Sequence, residues 1–299
     1  MPDSTTIVVA GATGNLGGQI VKSLIKEGAT VRALVRPSTT KAKREILKNS
    51  GAAIVEVNLR NPDQVAKVCE GASCVVSALL GLRDVIVDTQ QTLLEGSIKA
   101  SVPRFIPSDF SFDYKKWPRH EDRTLDLRRD FSLNNQAIPS TSILTGTFMD
   151  LLLSPSPAFN LEDRTVTCWG DPDYKLEFTR LGDVAAFTAL AALDESTPGT
   201  LRIVGERISA RELAAVAEEV TGAPFELIQA GSISDLSEIV SVLQLGWKPN
   251  KTELYPEWQS MMSVRTMFSG AAEVEPFDNQ RYPDLHWTSV RELLETHLA

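Results

Sequence analysis

The chain has 299 residues, 42% of them hydrophobic and 23% charged, with a formal net charge of −9. These are the proportions of an ordinary globular protein able to bury its own core, and the acidic balance argues against a nucleic-acid partner. The longest apolar stretches, around Cys74 to Leu82 and Phe148 to Leu153, are too short to cross a bilayer, and no basic and apolar leader precedes the first strand, so a cytoplasmic protein with no membrane partner is expected.

The first predicted strand, Thr6 to Ala10, is a short β-branched run that leads directly into Gly11, Gly14 and Gly17. Beyond them Leu16, Ile20, Leu24 and Ile25 recur at helical spacing, and Gly28 stands where the helix must stop. At such a strand-to-helix turn, Gly11 permits the bend, Gly14 admits a diphosphate to the backbone and Gly17 lets the helix pack on the sheet. The next strand, Thr30 to Val35, ends at Arg36, where a site for NAD would place an acid against the ribose hydroxyl. Arg36 instead suits a 2′-phosphate, and the cofactor expected is NADP(H). Ser38, Thr39, Thr40, Lys41, Lys43 and Arg44 follow; they either add phosphate contacts or form a solvated helix face.

The alternation continues with a strand at Ala53 to Val57, a helix from Pro62 to Glu70, a strand at Ser73 to Ser77, a helix from Val85 to Ala100 and a strand at Arg104 to Ile106. A helix from Asp122 to Asn135 precedes a strand at Ser140 to Leu144. Past residue 147 the rhythm loosens: Arg164 to Phe178, with Gly170, Asp171 and Pro172 at its middle, predicts a hairpin. Leu181 to Leu193 predicts a helix and Thr200 to Val204 a strand that returns to the sheet. Ser209 with Glu212 predicts a capping box, and Gly222 the end of its helix. A strand at Phe225 to Ile228 and helices at Asp235 to Leu245, Glu257 to Ser269 and Val290 to His297 complete the chain. The expected class is α/β: a Rossmann-type doubly wound parallel sheet with a smaller, discontinuous α+β substrate lobe. Residues 1–150 form the NADP(H)-binding domain, joined by the strand near 200–204, and residues 151–299 form mainly the substrate-binding lobe. Cys69, Cys74 and Cys168 have no paired spacing and are expected as free, buried thiols. His120, His286 and His297 make no ligand pattern, so no metal is expected.

Gly-Ala-Thr-Gly-Asn-Leu-Gly at Gly11 to Gly17, Val35-Arg36, Val-Val-Ser-Ala at Val75 to Ala78, and Val-Pro-Arg-Phe-Ile-Pro-Ser-Asp-Phe at Val102 to Phe110 together resemble the NmrA-like and isoflavone reductase-like proteins, a group of atypical short-chain dehydrogenases. Arg123 to Phe131 and Ile143 to Met149 resemble the NmrA-like branch in particular. The resemblance implies that Gly11, Thr13, Gly14, Asn15, Leu16 and Gly17 hold the diphosphate and Arg36 the 2′-phosphate. It places Ser77, Ala78 and Leu79 beside the adenosine, or alternatively in simple strand-end packing. Pro107, Ser108 and Phe110 would approach the nicotinamide. Thr145, Gly146, Thr147 and Phe148 would line the substrate pocket, or alternatively begin a helix. Asn58 stands where many relatives carry an Asp near the adenine.

Reduction of a carbonyl or imine also needs a proton donor. None of Tyr114, Tyr174, Tyr255 and Tyr282 has a Lys four residues later, the pair used by ordinary short-chain dehydrogenases. The lysine that the isoflavone reductase resemblance implies would fall near Asp126, which is better suited to an ion pair on a helix surface. Asp109, Tyr114, Lys115, Lys116, His120 and Asp126 remain as substitutes. Tyr114 and Lys116 are favoured, with Asp109 beside them, in a loop able to overhang the substrate; the other reading of that loop is solvated polar surface. Trp117, Phe112 and Phe131, and Met261, Met262, Met267 and Phe268, read as core. The function expected is an NADPH-dependent reductase of a small aromatic or polycyclic metabolite of secondary metabolism, acting on C=O, C=N or conjugated C=C. The alternatives are an NADP(H)-sensing regulator that binds a partner protein, and a non-redox reaction such as a cyclisation.

Overall fold

The computed structural model describes residues 5–134, 138–248 and 253–298. Strands β1 (Thr6–Ala10), β2 (Thr30–Val35), β3 (Ala53–Glu56), β4 (Cys74–Ser77) and β5 (Phe105–Ile106) form one parallel sheet in the order β3-β2-β1-β4-β5. β1 and β4 are buried on both faces, as their unbroken apolar runs require. A parallel bridge between Phe105 and Ser140 leads on to β6 (Ser142–Leu144), which pairs with a strand at Thr200–Arg202 in parallel register. The segment near residue 200 thus does not join the five-stranded sheet itself: it forms a two-stranded sheet with β6, which abuts β5 through that single bridge.

Helices α1 (Asn15–Lys26), α2 (Lys41–Asn49), α3 (Pro62–Cys69), α4 (Gln90–Lys99) and α5 (Arg123–Asn134) connect these strands, and α6 (Leu181–Leu193) packs against α1. One apolar layer, with Ile20, Leu24, Val184 and Phe187, covers one face of the sheet; another, with Val65, Leu93, Leu94 and Phe131, covers the other. The Asn61 side chain caps α3 by accepting from the backbone N–H groups of Asp63 and Gln64, with Pro62 in the first turn. The helix expected from Val85 to Ala100 opens differently. Asp84–Thr89 is a π-helix, and only from Gln90 does the α-helix follow. The predicted helix from Asp122 extended to Asn135, which lies outside the described residues.

The second half is built from β7 (Thr147–Phe148), β8 (Phe159–Asn160), β9 (Thr165–Trp169), β10 (Lys175–Thr179), β11 (Thr200–Arg202), β12 (Glu206–Ser209) and β13 (Glu226–Gly231), with α7 (Ala210–Thr221), α8 (Ile233–Gly246), α9 (Glu257–Ser269) and α10 (Val290–Leu298). Here the expected hairpin is corrected. β9 and β10 flank a turn at Gly170–Tyr174 but do not pair: β9 lies between β8 and β13, and β10 lies between β7 and β12. The turn is local, with the Asp173 N–H donating to the Asp171 side chain at 2.9 Å, yet each flank finds a distant partner. The Gly170 N–H donates to Gly231 O at 2.8 Å, and Arg211 of α7 pairs with Asp173 at 2.8 Å. A third core, including Trp117, Met262, Met267 and Phe268, fills this lobe. The capping box of Ser209 and Glu212 is present, and Gly222 ends α7 with φ of 69°.

Candidate functional site

Sheet order reverses between β1 and β4, and the crevice at the carboxyl ends of such neighbouring strands is where open α/β sheets bind ligands. Gly11 sits there at φ +79°, and a Cβ on it would come within 2.3 Å of Ala78 O at the end of β4. A Cβ on Gly17 would come within 2.2 Å of Gly11 O, so helix and turn touch backbone to backbone. Gly14 is half extended at the start of α1, and no side chain caps that helix. Its first N–H groups therefore remain available to an anion, beside Thr13, Asn15 and Leu16.

Arg36 is exposed at the end of β2 and makes no ion pair among the described residues. Its neighbour Arg44 is committed elsewhere: it pairs with Glu56 at 2.7 Å and donates to the carbonyls of Arg36, Pro37 and Thr39, fixing the loop. Ser38 and Thr40 are exposed on the same loop, and Thr40 caps α2 by accepting from the Lys43 N–H. Asn58 is exposed at the next strand end, its side chain accepting from the Arg60 N–H at 3.0 Å. These groups form a polar rim on which Arg36, like Lys41 and Lys43 beside it, makes no ion pair among the described residues.

From β4 the floor continues to β5. Ser77 is buried with its hydroxyl unpartnered, and Ala78 and Leu79 are half-buried. The Ser108 hydroxyl donates to Leu79 O at 2.7 Å, while its N–H donates to the Gln90 side chain at 2.9 Å. Gln90 is wholly buried and also donates to Ile86 O, which explains its place at the change from π- to α-helix. A polar residue on the apolar face of that helix was the available signal for it. Pro107 and Phe110 are buried in the same segment. Thr145 and Gly146 are buried; the Thr145 N–H donates to Ser111 O at 2.9 Å and its carbonyl accepts from Thr179. Thr147 and Phe148 form β7 rather than a helix start, and a 3₁₀ turn begins only at Met149.

The favoured proton donors are not where an overhanging loop would put them. Tyr114 is fully buried, its hydroxyl donating to Asp109 Oδ2 at 3.1 Å. Ser142 donates to the same oxygen at 2.7 Å, and Oδ1 is buried without a partner. Burial pushes the Asp109 carboxyl above the usual range against the pull of Ser142 and Arg128, and burial first, with Asp109 beside it, raises the Tyr114 phenol as well. Lys116 is exposed and donates to the carbonyls of Glu273 at 2.7 Å and Glu275 at 3.2 Å. Lys115 and His120 are exposed too, and Asp126 pairs with Arg129 at 3.5 Å.

A crevice of about 10 Å³, room for about one water, opens beside this floor, lined by Leu80, Gly81 and Leu82 after β4, by Thr124 and Arg128 on α5, and by Leu254 and Tyr255. None of the favoured donors lines it. Sequence reasoning missed Thr124, Arg128 and Tyr255, because α5 and the 254–255 segment meet only in the folded chain.

The family model described as NmrA-like matches residues 3–294. The chain belongs to the NmrA-like family. Among its relatives, the probable pinoresinol-lariciresinol reductase 3 of Arabidopsis thaliana is 26% identical, with 98% of this chain and 97% of that one covered. The isoflavone reductase of Pisum sativum is 25% identical, with 98% and 99% covered. A solved structure of AtPrR2 with NADP⁺ and (+)-pinoresinol superimposes with a TM-score of 0.82 at 21% identity, covering 99% of each chain. The NmrA-like chain thus has the fold of Rossmann-type reductases, and its neighbours include structures solved with NADP⁺ or NADPH. Among the described residues no helix is long and apolar enough to cross a membrane.

Proposed function

We propose that this NmrA-like chain is an NADPH-dependent reductase of a small aromatic or polycyclic metabolite. The observation that carries the reading is the glycine cradle at the sheet's switch point, with the uncommitted Arg36 on its rim. The cradle fits a dinucleotide: a Cβ at Gly11 or Gly17 would fill space that only backbone now occupies, and the uncapped α1 amino terminus favours a diphosphate. Gly11, Thr13, Gly14, Asn15, Leu16 and Gly17 would hold that diphosphate. Arg36, with Ser38 and Thr40 beside it, would hold the 2′-phosphate. Asn58 and Ser77 to Leu79 would border the adenosine, and Pro107, Ser108 and Phe110 the nicotinamide. When bound, the reduced cofactor supplies the electron pair of the reduction.

In this reading residues 1–150, with the strand near 200–204, hold the cofactor, and residues 151–299 supply mainly the substrate lobe. Thr145 to Phe148 join the two. The reductase and synthase names of the relatives support catalysis over regulation. The buried free thiols of Cys69, Cys74 and Cys168 support a reducing, cytoplasmic setting. A regulator that senses NADP(H) and binds a partner is the second reading, favoured by the apolar surface of α8, where Val242 is 67% and Leu245 88% exposed.

Calorimetric titration with NADPH, NADP⁺ and NADH, alongside NADPH consumption in the presence of aromatic carbonyl compounds, tests both. The expected result is NADPH binding well ahead of NADH, with roughly a 10- to 100-fold loss for NADPH and NADP⁺, and none for NADH, in Arg36→Ala, the scale of a charge-assisted hydrogen bond. No binding of either reduced form overturns the cofactor site. Equal binding of oxidised and reduced forms without turnover moves the reading to the regulator.

A further inference from the structure

Gly146 lies against Glu177 where the Thr145 to Phe148 segment meets β10: it has φ of +63°, and a Cβ on it would come within 2.9 Å of Glu177 O and 3.0 Å of Glu177 Cβ. From that contact the Glu177 side chain reaches residues 271–277, the stretch that follows α9, and its Oε2 accepts from the Val274 N–H at 3.0 Å. Two backbone bonds close a ring. Ala272 O accepts from the Asp113 N–H at 3.0 Å, and Ser111 O accepts from the Thr145 N–H at 2.9 Å. The ring thus passes from Gly146 through Glu177, the 271–277 stretch and the loop after Phe110 back to Thr145.

One link in this ring can titrate. Glu177 is 4% exposed, and its Oε1 is buried with no hydrogen-bond partner among the described residues. Glu273 and Glu275 stand on either side of Val274, and Arg207 of β12 is shared between them at 3.5 Å and 2.8 Å. Tyr174, in the turn before β10, donates its hydroxyl to Glu273. Lys116 donates to the carbonyls of Glu273 and Glu275, and Asp113 pairs with Arg202 at 3.4 Å. A neutral Glu177 carboxyl accepts from Val274 and leaves one oxygen idle. An ionised one leaves a charged oxygen dry beside two carboxylates until the stretch moves aside and admits water. Burial first, with Glu273 and Glu275 adding to it, accordingly raises the Glu177 pKa to about 7 against the Val274 bond and Arg207.

We propose that Glu177 is the latch of a strap formed by residues 271–277: its neutral carboxyl holds the strap against the loop after Phe110 and fixes Thr145 and Gly146, and its ionisation releases them. The latch stands apart from the reductase reading. Its consequence for substrate, a pocket held firmly in acid and loosely in base, rests on that reading. An open strap lets the carboxyl titrate as an exposed glutamate, so closure weakens as pH rises from 4.5 and levels off above about 7.

Hydrogen exchange of the peptide covering residues 271–277, on the protein without cofactor, tests the latch. Protection, corrected for the intrinsic rate at each pH, is expected to fall about 10-fold between pH 6 and pH 8, the ratio for a carboxyl that titrates near 7 when latched and near 4.5 when free. Glu177→Gln stays neutral and still accepts from Val274, so it should keep its protection at both pH values. The strap should also exchange well ahead of α6 in the same molecule, because its opening is local. Unchanged protection in the wild type, the same fall in Glu177→Gln, or exchange no faster than that of α6 overturns the proposal. If Glu177→Gln does not fold, Glu273→Gln decides: with one repelling carboxylate gone, Glu177 ionises more readily in place, and the fall should shrink to about 3-fold. An undiminished fall there overturns the latch. With NADPH saturating, the KM for an aromatic aldehyde should rise over the same interval in the wild type and stay level in Glu177→Gln. A KM that is level in both overturns the link to Thr145 and Gly146. Absence of NADPH turnover strikes the reductase reading and leaves the exchange result standing.

Discussion

Burial decides what the Tyr114 hydroxyl can do. It lies fully inside the protein, in a cluster with Asp109 and Ser142, and a phenol whose ionisation is suppressed by desolvation and a neighbouring carboxyl gives up a proton poorly. Tyr114→Phe is therefore expected to lower stability by about 1 kcal/mol, the worth of one hydrogen bond, while leaving turnover within about twofold. Chemical denaturation and steady-state kinetics on the same preparation check this, and a collapse of kcat would return Tyr114 to the mechanism. Tyr114 and Lys116 were reasonable candidates in sequence because they follow a segment that ends at the sheet's carboxyl edge. The sequence does not show that the first turns inward and the second reaches Glu273 and Glu275. By contrast the close packing at Gly11 and Gly17 and the exposed place of Arg36 at the end of β2 were legible as single residues. Their roles depend on a strand, a turn and a helix within 30 residues, and backbone sterics alone limits what can stand at Gly11.

Among the elements, those with their own start and stop signals were read closely: α1, α6, α7 and α9 begin where capping or periodicity indicated. The helix after β4 was not, because its first turn is wound wider and turns Gln90 inward to Ser108. The hairpin at Gly170 failed for another reason. A turn signal specifies a reversal of the chain, whereas pairing depends on which strands compete, and β13 and β12 won. Element packing also carries a prediction. α3 and α4 approach so closely that a Cβ at Gly96 would lie 2.4 Å from the Val65 side chain and 2.9 Å from Pro62 O. Gly96→Ala should therefore cost about 1–3 kcal/mol despite the higher helix propensity of alanine, seen as a lower midpoint in urea unfolding. A neutral or stabilised variant would mean that the two helices separate easily.

At the scale of the molecule, Glu177 joins β10 to the segment around Val274 that follows α9. It is 4% exposed on β10; Oε2 accepts from the Val274 N–H at 3.0 Å and Oε1 is buried without a partner. Burial, with Glu273 and Glu275 adding to it against Arg207 and the Val274 bond, raises its pKa from the usual 4.5 to about 7. A raised pKa means that the native state keeps this proton where the unfolded chain has lost it. The stability it provides is full below about pH 4.5 and is lost as pH rises to about 7, a change on the order of 3 kcal/mol. Glu177→Gln should thus flatten the fall of Tm between pH 5 and 8, and a wild-type-like decline in the variant would locate the titration elsewhere.

The sequence by itself determined the parallel sheet, the glycine turn, the cation at the end of the second strand and most of the helices. Each follows from backbone sterics and hydrophobic periodicity acting over a few tens of residues. Only the tertiary structure decided which face Tyr114 takes, which strands β9 and β10 join, and that Arg128 meets Leu80 and Tyr255 across one crevice. Those contacts join residues as far apart as 80 and 255. At such separation the outcome depends on competition among partners for burial and hydrogen bonds, which no local pattern records.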